Sequence, residues 1–233
     1  MNRSNSCVSL IPLSPIYHQE TVPVFETMNP GDSSLLRSIL YENYIEVLNE
    51  LRENLNIIYC MDVKDKENLP SDILVDFNDI LWIDTSAINF EIKNLNDKRI
   101  KNFHNNLIVF SHSIGVSSRD IRKMFSLLEM EDESILIGRY NDERIASLGY
   151  NTYNEELMNN ISEERNYYNE MLMKASKYEN FVHTLNSFMI IDTKDDFKKL
   201  YTELSKKESL NYCSQKMHEK FTHLFIEYKD LLK

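Results

Sequence analysis

Short apolar runs alternating with segments of helical period constrain this chain more than any other feature. Asn56-Ile57-Ile58-Tyr59-Cys60-Met61, Ile80-Leu81-Trp82-Ile83, Leu107-Ile108-Val109-Phe110 and Ser134-Ile135-Leu136-Ile137-Gly138 are each too short for a buried helix. They have the pattern of strands buried on both faces. Between a turn at Met28-Asn29-Pro30-Gly31-Asp32 and the first of these runs, Leu35, Leu36, Ile39, Leu40, Ile45, Leu48 and Leu51 recur at helical spacing. That spacing predicts a helix of about twenty residues after Asp32. Phe90 to Phe103, mostly polar with spaced apolar residues, reads as a crossover helix. Strands alternating with helices require a largely parallel sheet covered on both sides. The expected fold class is therefore α/β, a three-layer α/β/α sandwich with a mainly parallel sheet. Ile57 to Cys60, Leu107 to Phe110 and Ser134 to Ile137 are expected as neighbouring strands in it.

Val8-Ser9-Leu10-Ile11-Pro12-Leu13 is a candidate first strand, which Pro12 and Pro15 would push to a sheet edge. Ser117-Ser118-Arg119-Asp120 and Thr193-Lys194-Asp195-Asp196 read as capping boxes, each opening a helix. Ile121, Met124, Phe125 and Leu128 form the buried stripe of the first helix; Phe197, Leu200, Tyr201 and Leu204 lie along the second. Asn141-Asp142 is a turn between the strand at Ser134 and a return segment, Ile145 to Gly149, as in a hairpin. Asn154 to about Lys177 is helix-like, and Val182 to Ile191 contains an apolar segment. Residues 208–233 form an amphipathic helix with Cys213, Met217, Phe221, Leu224, Tyr228 and Leu231 on one face. No repeat or linker divides the chain, so residues 1–233 are expected to form one domain.

A formal net charge of −11 would repel a phosphate backbone and excludes nucleic acid as an expected partner. Lys98, Arg99 and Lys101 are the nearest basic cluster and read as a solvated helix face. With 4 glycines in 233 residues, there is neither a Walker loop nor a G-x-G-x-x-G turn to wrap a phosphate. Cys7, Cys60 and Cys213 are odd in number and unevenly spaced, which suits reduced thiols in the cytoplasm. The apolar run near the start is broken by Pro12 and Pro15 and is too short for a signal peptide or membrane span. The expected location is cytoplasmic. No nucleophile elbow or Ser-His-Asp order is present to suggest a hydrolase.

Three stretches carry a resemblance. Gly138-Arg139-Tyr140-Asn141-Asp142-Glu143-Arg144-Ile145-Ala146-Ser147-Leu148-Gly149 resembles a strand-and-turn motif G-P-x-x-D-G-G-Y-x-x-x-G. It keeps both outer glycines and the aspartate, as Asp142, and replaces the proline and inner glycines with Arg139, Glu143 and Arg144. Met189-Ile190-Ile191-Asp192-Thr193-Lys194-Asp195-Asp196-Phe197 is similar to a strand-to-helix signature D-x-D-T-x-x-D-L/F, with Ile190 at the earlier aspartate. Leu107 to Ser117 resembles a strand and metal-site loop that carries D-C-P in relatives; His112 stands at that aspartate. The family so resembled is the GT-A nucleotide-diphospho-sugar transferase superfamily, and within it a bacterial group of glycosyltransferase-like proteins.

That resemblance implies a nucleotide or sugar nucleotide as ligand, with Mg²⁺ or Mn²⁺ neutralising its diphosphate, or no cofactor where the site is eroded. It implies Asp142 as candidate catalytic residue, His112 and Asp192 as candidate metal ligands, and Ser111 and Gly138 as candidate cofactor contacts. Two departures point to erosion. An imidazole at His112 suits magnesium much less than a carboxylate does. Pro15-Ile16-Tyr17-His18-Gln19-Glu20, standing where relatives carry a basic glycine- and proline-containing loop, has no lysine, arginine or glycine. His112 also fits a hydrogen-bonded core histidine, and Asp192 with Thr193 fits a plain helix cap. The expected function is a divergent glycosyltransferase- or nucleotidyltransferase-like protein with an eroded metal and phosphate site. The alternative is a catalytically inactive binding or scaffold protein, whose ligand is a sugar nucleotide or a protein. Ligands in such sheets bind outside the carboxyl ends of the strands, so Ser111 to Gly115 should border any pocket.

Overall fold

Strand β1 (Ser6–Ile11) stops just before Pro12, so none of its residues lacks an N–H for pairing. In the computed structural model, which describes residues 5–18, 22–71, 73, 75–86, 98–140, 144–153, 168–178, 181–186 and 188–232, this strand is central. It pairs in parallel with β2 (Asn56–Asp62) on one side and β4 (Asn105–Phe110) on the other. The edge position expected from Pro12 and Pro15 is thereby corrected: both prolines lie in the loop leaving the strand and remove nothing from the ladder.

The remaining strands of the sheet are β3 (Ile80–Ile83), β6 (Ser134–Tyr140), β7 (Arg144–Tyr150) and β8 (Phe181–Leu185), in the order β3-β2-β1-β4-β7-β6-β8. β7 is antiparallel to both of its neighbours, and the other pairings are parallel. Ile57 to Cys60, Leu107 to Phe110 and Ser134 to Ile137 therefore share one mainly parallel sheet but are not adjacent. β1 inserts between the first two, and the hairpin return β7 between the last two. An apolar run shows that a segment is a strand; which strand lies beside it depends on the connections.

Alternation along the strands sorts the core into two faces. Val8 and Leu10, Tyr59 and Met61, and Leu107 and Val109 turn to one face. It is covered by Tyr41, Tyr44, Ile45 and Leu48 of α1 (Pro30–Asn49) and by Ile121, Met124, Phe125 and Leu128 of α2 (Ser118–Leu128). Cys7, Ile11, Ile58, Cys60, Ile108 and Phe110 turn to the other, against Ile100 and Ala175, the latter in α3 (Tyr168–Ala175). Each fully buried Leu, Ile or Val on these faces contributes roughly 1.5–3 kcal/mol, which fixes the α/β/α layering.

α1 is buried on a second side as well. Leu36, Ile39 and Leu40 pack with Phe197, Leu200 and Leu204 of α4 (Lys194–Leu204) and with Met217, Phe221 and Leu224 of α5 (Gln215–Glu227). The helix starts at Pro30, slightly before the expected point, because the Asn29 side chain accepts from the N–H of Asp32 and proline suits the first turn. Both capping boxes form, Ser117 with Asp120 and Thr193 with Asp196. The amphipathic helix expected over 208–233 occupies the middle of that span, preceded by a 3₁₀ turn, Lys207–Asn211.

Some expectations are revised or fall outside. Arg99 donates to the carbonyl of Ile80 at 3.2 Å, and the Lys101 ammonium lies 4.4 Å over the Tyr153 ring, so these two bases anchor the chain rather than face only solvent. Of the crossover helix over Phe90 to Phe103, residues 90–97 lie outside the described residues, and Lys98–Lys101 is one helical turn. Of the helix expected from Asn154, residues 154–167 lie outside as well. The apolar segment from Val182 divides between β8 and β9 (Met189–Ile190). All three cysteines are buried free thiols. No helix among the described residues is long and apolar enough to cross a membrane.

Candidate functional site

β5 (Ser113–Ile114) and β9 pair antiparallel, Ser113 opposite Ile190 and Ile114 opposite Met189, and the N–H of Ile191 donates to the carbonyl of His112 at 2.8 Å. This small ladder brings the start of α4 beside the end of β4. Nε2 of His112 comes within 3.7 Å of Oδ2 of Asp192, and Nη1 of Arg144, at the start of β7, lies at the same 3.7 Å from that oxygen. Arg144 is held elsewhere: Nη1 and Nη2 donate to Oδ2 and Oδ1 of Asp196 at 2.8 and 2.9 Å. Burial would raise the Asp196 carboxyl, but the hydrogen bonds from Arg144 and Thr193 outweigh it and hold the group below its ordinary range. The hydrogen bond to Asp196 in turn raises the Arg144 guanidinium. Asp192 is left half-exposed beside this locked pair.

These residues border a cavity of about 160 Å³ at the carboxyl ends of β1 and β4. Leu13, Ser14 and Ile16 line it from the loop after β1, Arg37 and Leu40 from α1, Ser111 and His112 from the end of β4, and Ile191 and Asp192 from the entry to α4. Such crevices are where open α/β sheets bind ligands. Arg37 is half-buried, and its Nη1 is buried with no hydrogen-bond partner among the described residues. Burial lowers the pKa of the guanidinium, the charge of Asp192 acting in the opposite direction. Arginine nevertheless stays protonated in proteins. Sequence reasoning missed Arg37 because a charged residue in an exposed-looking helical position reads as solvated. The signal available was its place at the border of the Leu36, Ile39, Leu40 stripe.

The loop after β1 is organised by a buried carboxylate. Asp65 is 0% exposed and accepts the backbone N–H groups of Ile16, Tyr17 and His18 at 2.9, 2.8 and 2.9 Å. Burial pushes its pKa up, the three N–H groups pull it back, and the neighbouring charge of Asp62 adds to the rise. Successive N–H groups pointing at one anion form the kind of nest that elsewhere takes a phosphate; here a side chain of the same protein fills it. This is the loop where the sequence resemblance places the phosphate cradle of relatives.

No protein-family model matches the chain, and no curated protein matches it. Its structure is similar to that of a nucleotide-diphospho-sugar transferase from Desulfovibrio desulfuricans G20, across 100% of this chain and 97% of that one, at a TM-score of 0.70 and 17% identity. The chain has the nucleotide-diphospho-sugar transferase fold. More distantly, the same fold relates it to 4-diphosphocytidyl-2C-methyl-D-erythritol synthase from Anaerococcus prevotii DSM 20548, at a TM-score of 0.52 and 9% identity over 95% of this chain and 96% of that one. A cytidylyltransferase from Leptospira borgpetersenii has a TM-score of 0.50 at 11% identity, over 98% of this chain and 96% of that one.

Of the residues singled out from sequence, Ser111, His112 and Asp192 meet at this cavity of the transferase fold. Asp142, which falls between β6 and β7 in sequence, lies outside the described residues. Gly138 is not among the lining residues. A Cβ on it would fall 2.1 Å from Oγ of Ser147 and 2.2 Å from the Phe188 ring, so close packing requires the glycine. The described residues do not fit a magnesium or manganese ion. Oδ2 of Asp192 is flanked by an imidazole and a guanidinium, so a cation there would meet a fixed positive charge and one carboxylate, where a hard ion takes several oxygens. No group of three His, Cys, Asp or Glu side chains able to hold a metal occurs among the described residues.

Proposed function

We propose that this protein is a divergent glycosyltransferase- or nucleotidyltransferase-like protein that has lost the usual metal and phosphate-loop chemistry and binds a nucleotide or sugar nucleotide without transferring it. The observation that carries the reading is the Asp65 carboxylate seated on the N–H groups of Ile16, Tyr17 and His18. A diphosphate entering that nest would have to displace a buried, triply hydrogen-bonded anion and would meet its charge at close range. What remains for a ligand is the adjoining cavity lined by Arg37, Ser111, His112 and Asp192. A retained transferase is the second reading, favoured by the meeting of His112 with Asp192 at the expected end of the sheet.

The test is a thermal-shift panel of nucleotides and sugar nucleotides, with and without Mg²⁺ or Mn²⁺, followed by a turnover assay on any compound that stabilises the protein. Selective binding to the native state raises the melting temperature. The expected result is stabilisation by at least one nucleotide or sugar nucleotide and turnover at background. Metal-dependent turnover that disappears in Asp192→Ala would reinstate the transferase, and a panel with no stabilising compound would reject nucleotide binding.

A further inference from the structure

Resting on that reading, we propose that Arg37 is the cation that neutralises a bound diphosphate in this cavity, in the place a divalent metal would otherwise take. A guanidinium atom taken out of water without a hydrogen-bond partner is a costly arrangement, and such groups in a native protein call for a ligand or a strain to explain them. The Arg37 Nη1 is in that condition among the described residues, on the wall of a cavity of about 160 Å³. On the same measure, one water needs roughly 10–15 Å³, so a phosphoryl group with several heavy atoms fits.

The surroundings select an anion. Asp192 is the one acidic side chain among the described lining residues, and its carboxylate is drawn toward Arg144 and His112, each 3.7 Å away. Arg144 is already spent on Asp196. Arg37 is thus the one arginine or lysine among the described lining residues, and its Nη1 has no hydrogen-bond partner among the described residues, in a chain of net charge −11. Its planar fork matches two phosphate oxygens at once, a geometry that a lysine ammonium does not reproduce. Because α1 is buried on two sides, the guanidinium is carried on a rigid element at the cavity wall.

Calorimetric titration with inorganic pyrophosphate in EDTA tests the assignment, using the full chain and its Arg37→Gln and Arg37→Lys variants. The unaltered protein should bind; Arg37→Gln should lose about tenfold or more, as expected for a charge-assisted contact, and Arg37→Lys should fall between. Without ligand, Arg37→Gln should melt at the same temperature as the parent or higher, because a half-buried guanidinium with an unpaired Nη1 has gone; a merely structural arginine would leave it less stable. Pyrophosphate binding that needs added Mg²⁺ or Mn²⁺, or that survives undiminished in either variant, overturns the proposal. If Arg37→Gln does not fold, Arg37→Lys decides by the same criterion. Sugar nucleotides run beside pyrophosphate separate the two readings. If they bind parent and variant alike, only the role of Arg37 falls. If they bind neither while pyrophosphate binds through Arg37, the nucleotide reading falls.

Discussion

Arg144 and Asp196 face each other in a two-pronged ion pair, Nη1 and Nη2 of the guanidinium donating to Oδ2 and Oδ1 at 2.8 and 2.9 Å. The pair ties the first residue of β7 to the first turn of α4, and so fixes the element that presents Asp192 to the cavity. Asp196 is 1% exposed. Arg144→Met should therefore leave a buried carboxylate without its main counter-charge and destabilise the protein by about 3 kcal/mol, measured by urea unfolding. A loss below about 0.5 kcal/mol would mean that the pair is no stronger than a surface salt bridge.

The same pair sets an acid limit. The folded-state pKa of Asp196 lies below its ordinary value, so the unfolded chain takes up the proton first as pH falls. The stabilisation is present above the unfolded carboxylate pKa of about 3.9 and is lost as pH drops through the depressed folded value. The stability difference between the parent protein and Asp196→Asn should accordingly be flat near neutral pH and shrink below about pH 4. A difference that grows on acidification would give the shift the opposite sign.

Asp65 and the N–H groups of Ile16 to His18 predict a local effect as well as a global one. Asp65→Ala removes the acceptor of three donors. It should cost about 2–4 kcal/mol, and Asp65→Asn, which keeps one oxygen acceptor, should cost less. Hydrogen exchange at residues 16–18 should accelerate well beyond the change in global stability, because these amides lose the carboxylate that accepts from them. Unchanged exchange there would mean that the loop is held by its apolar contacts.

Asp192 gives opposite expectations for a metal site and an anion site. If its carboxylate held a metal, Asp192→Asn would weaken ligand binding. Next to Arg37, its charge opposes an incoming phosphate, so Asp192→Asn should tighten pyrophosphate binding several-fold, by about 1 kcal/mol at the effective dielectric of a protein surface. Titration at low salt reads the direction directly.

Gly138→Ala should be strongly destabilising, since the new methyl would overlap Ser147 and the Phe188 ring. A loss of about 1–3 kcal/mol in thermal or urea unfolding is expected, reduced when Phe188→Leu is combined with it. An unchanged midpoint would show that β6 and Phe188 have room to separate.

The strands, the two capping boxes and the hairpin were legible in the sequence because each rests on local chemistry: a period of two or 3.6, a hydroxyl three residues before a carboxylate, a polar pair between apolar runs. The layer architecture followed from the same patterns. Adjacency did not, and β1 shows why. Its own residues report burial on both faces but not that β2 and β4 flank it, and Pro12 and Pro15 were misread because their effect depends on where the strand ends.

For the site, His112 and Asp192 were visible as departures and matches within short motifs, while Arg37, Arg144 and Asp65 carry no local mark of their roles. Sequence by itself determined which segments become strands and helices and which of their faces are apolar, since propensity and periodicity are properties of neighbours along the chain. Only the tertiary structure decided that the β5–β9 ladder would set Asp192 beside His112, that Asp65 would fill the N–H nest of a loop 47–49 residues before it, and that Arg37 would line a cavity with its Nη1 buried and unpaired among the described residues. Pairing and desolvation belong to residues distant in sequence, and they come into being when the sheet and α1 close over them.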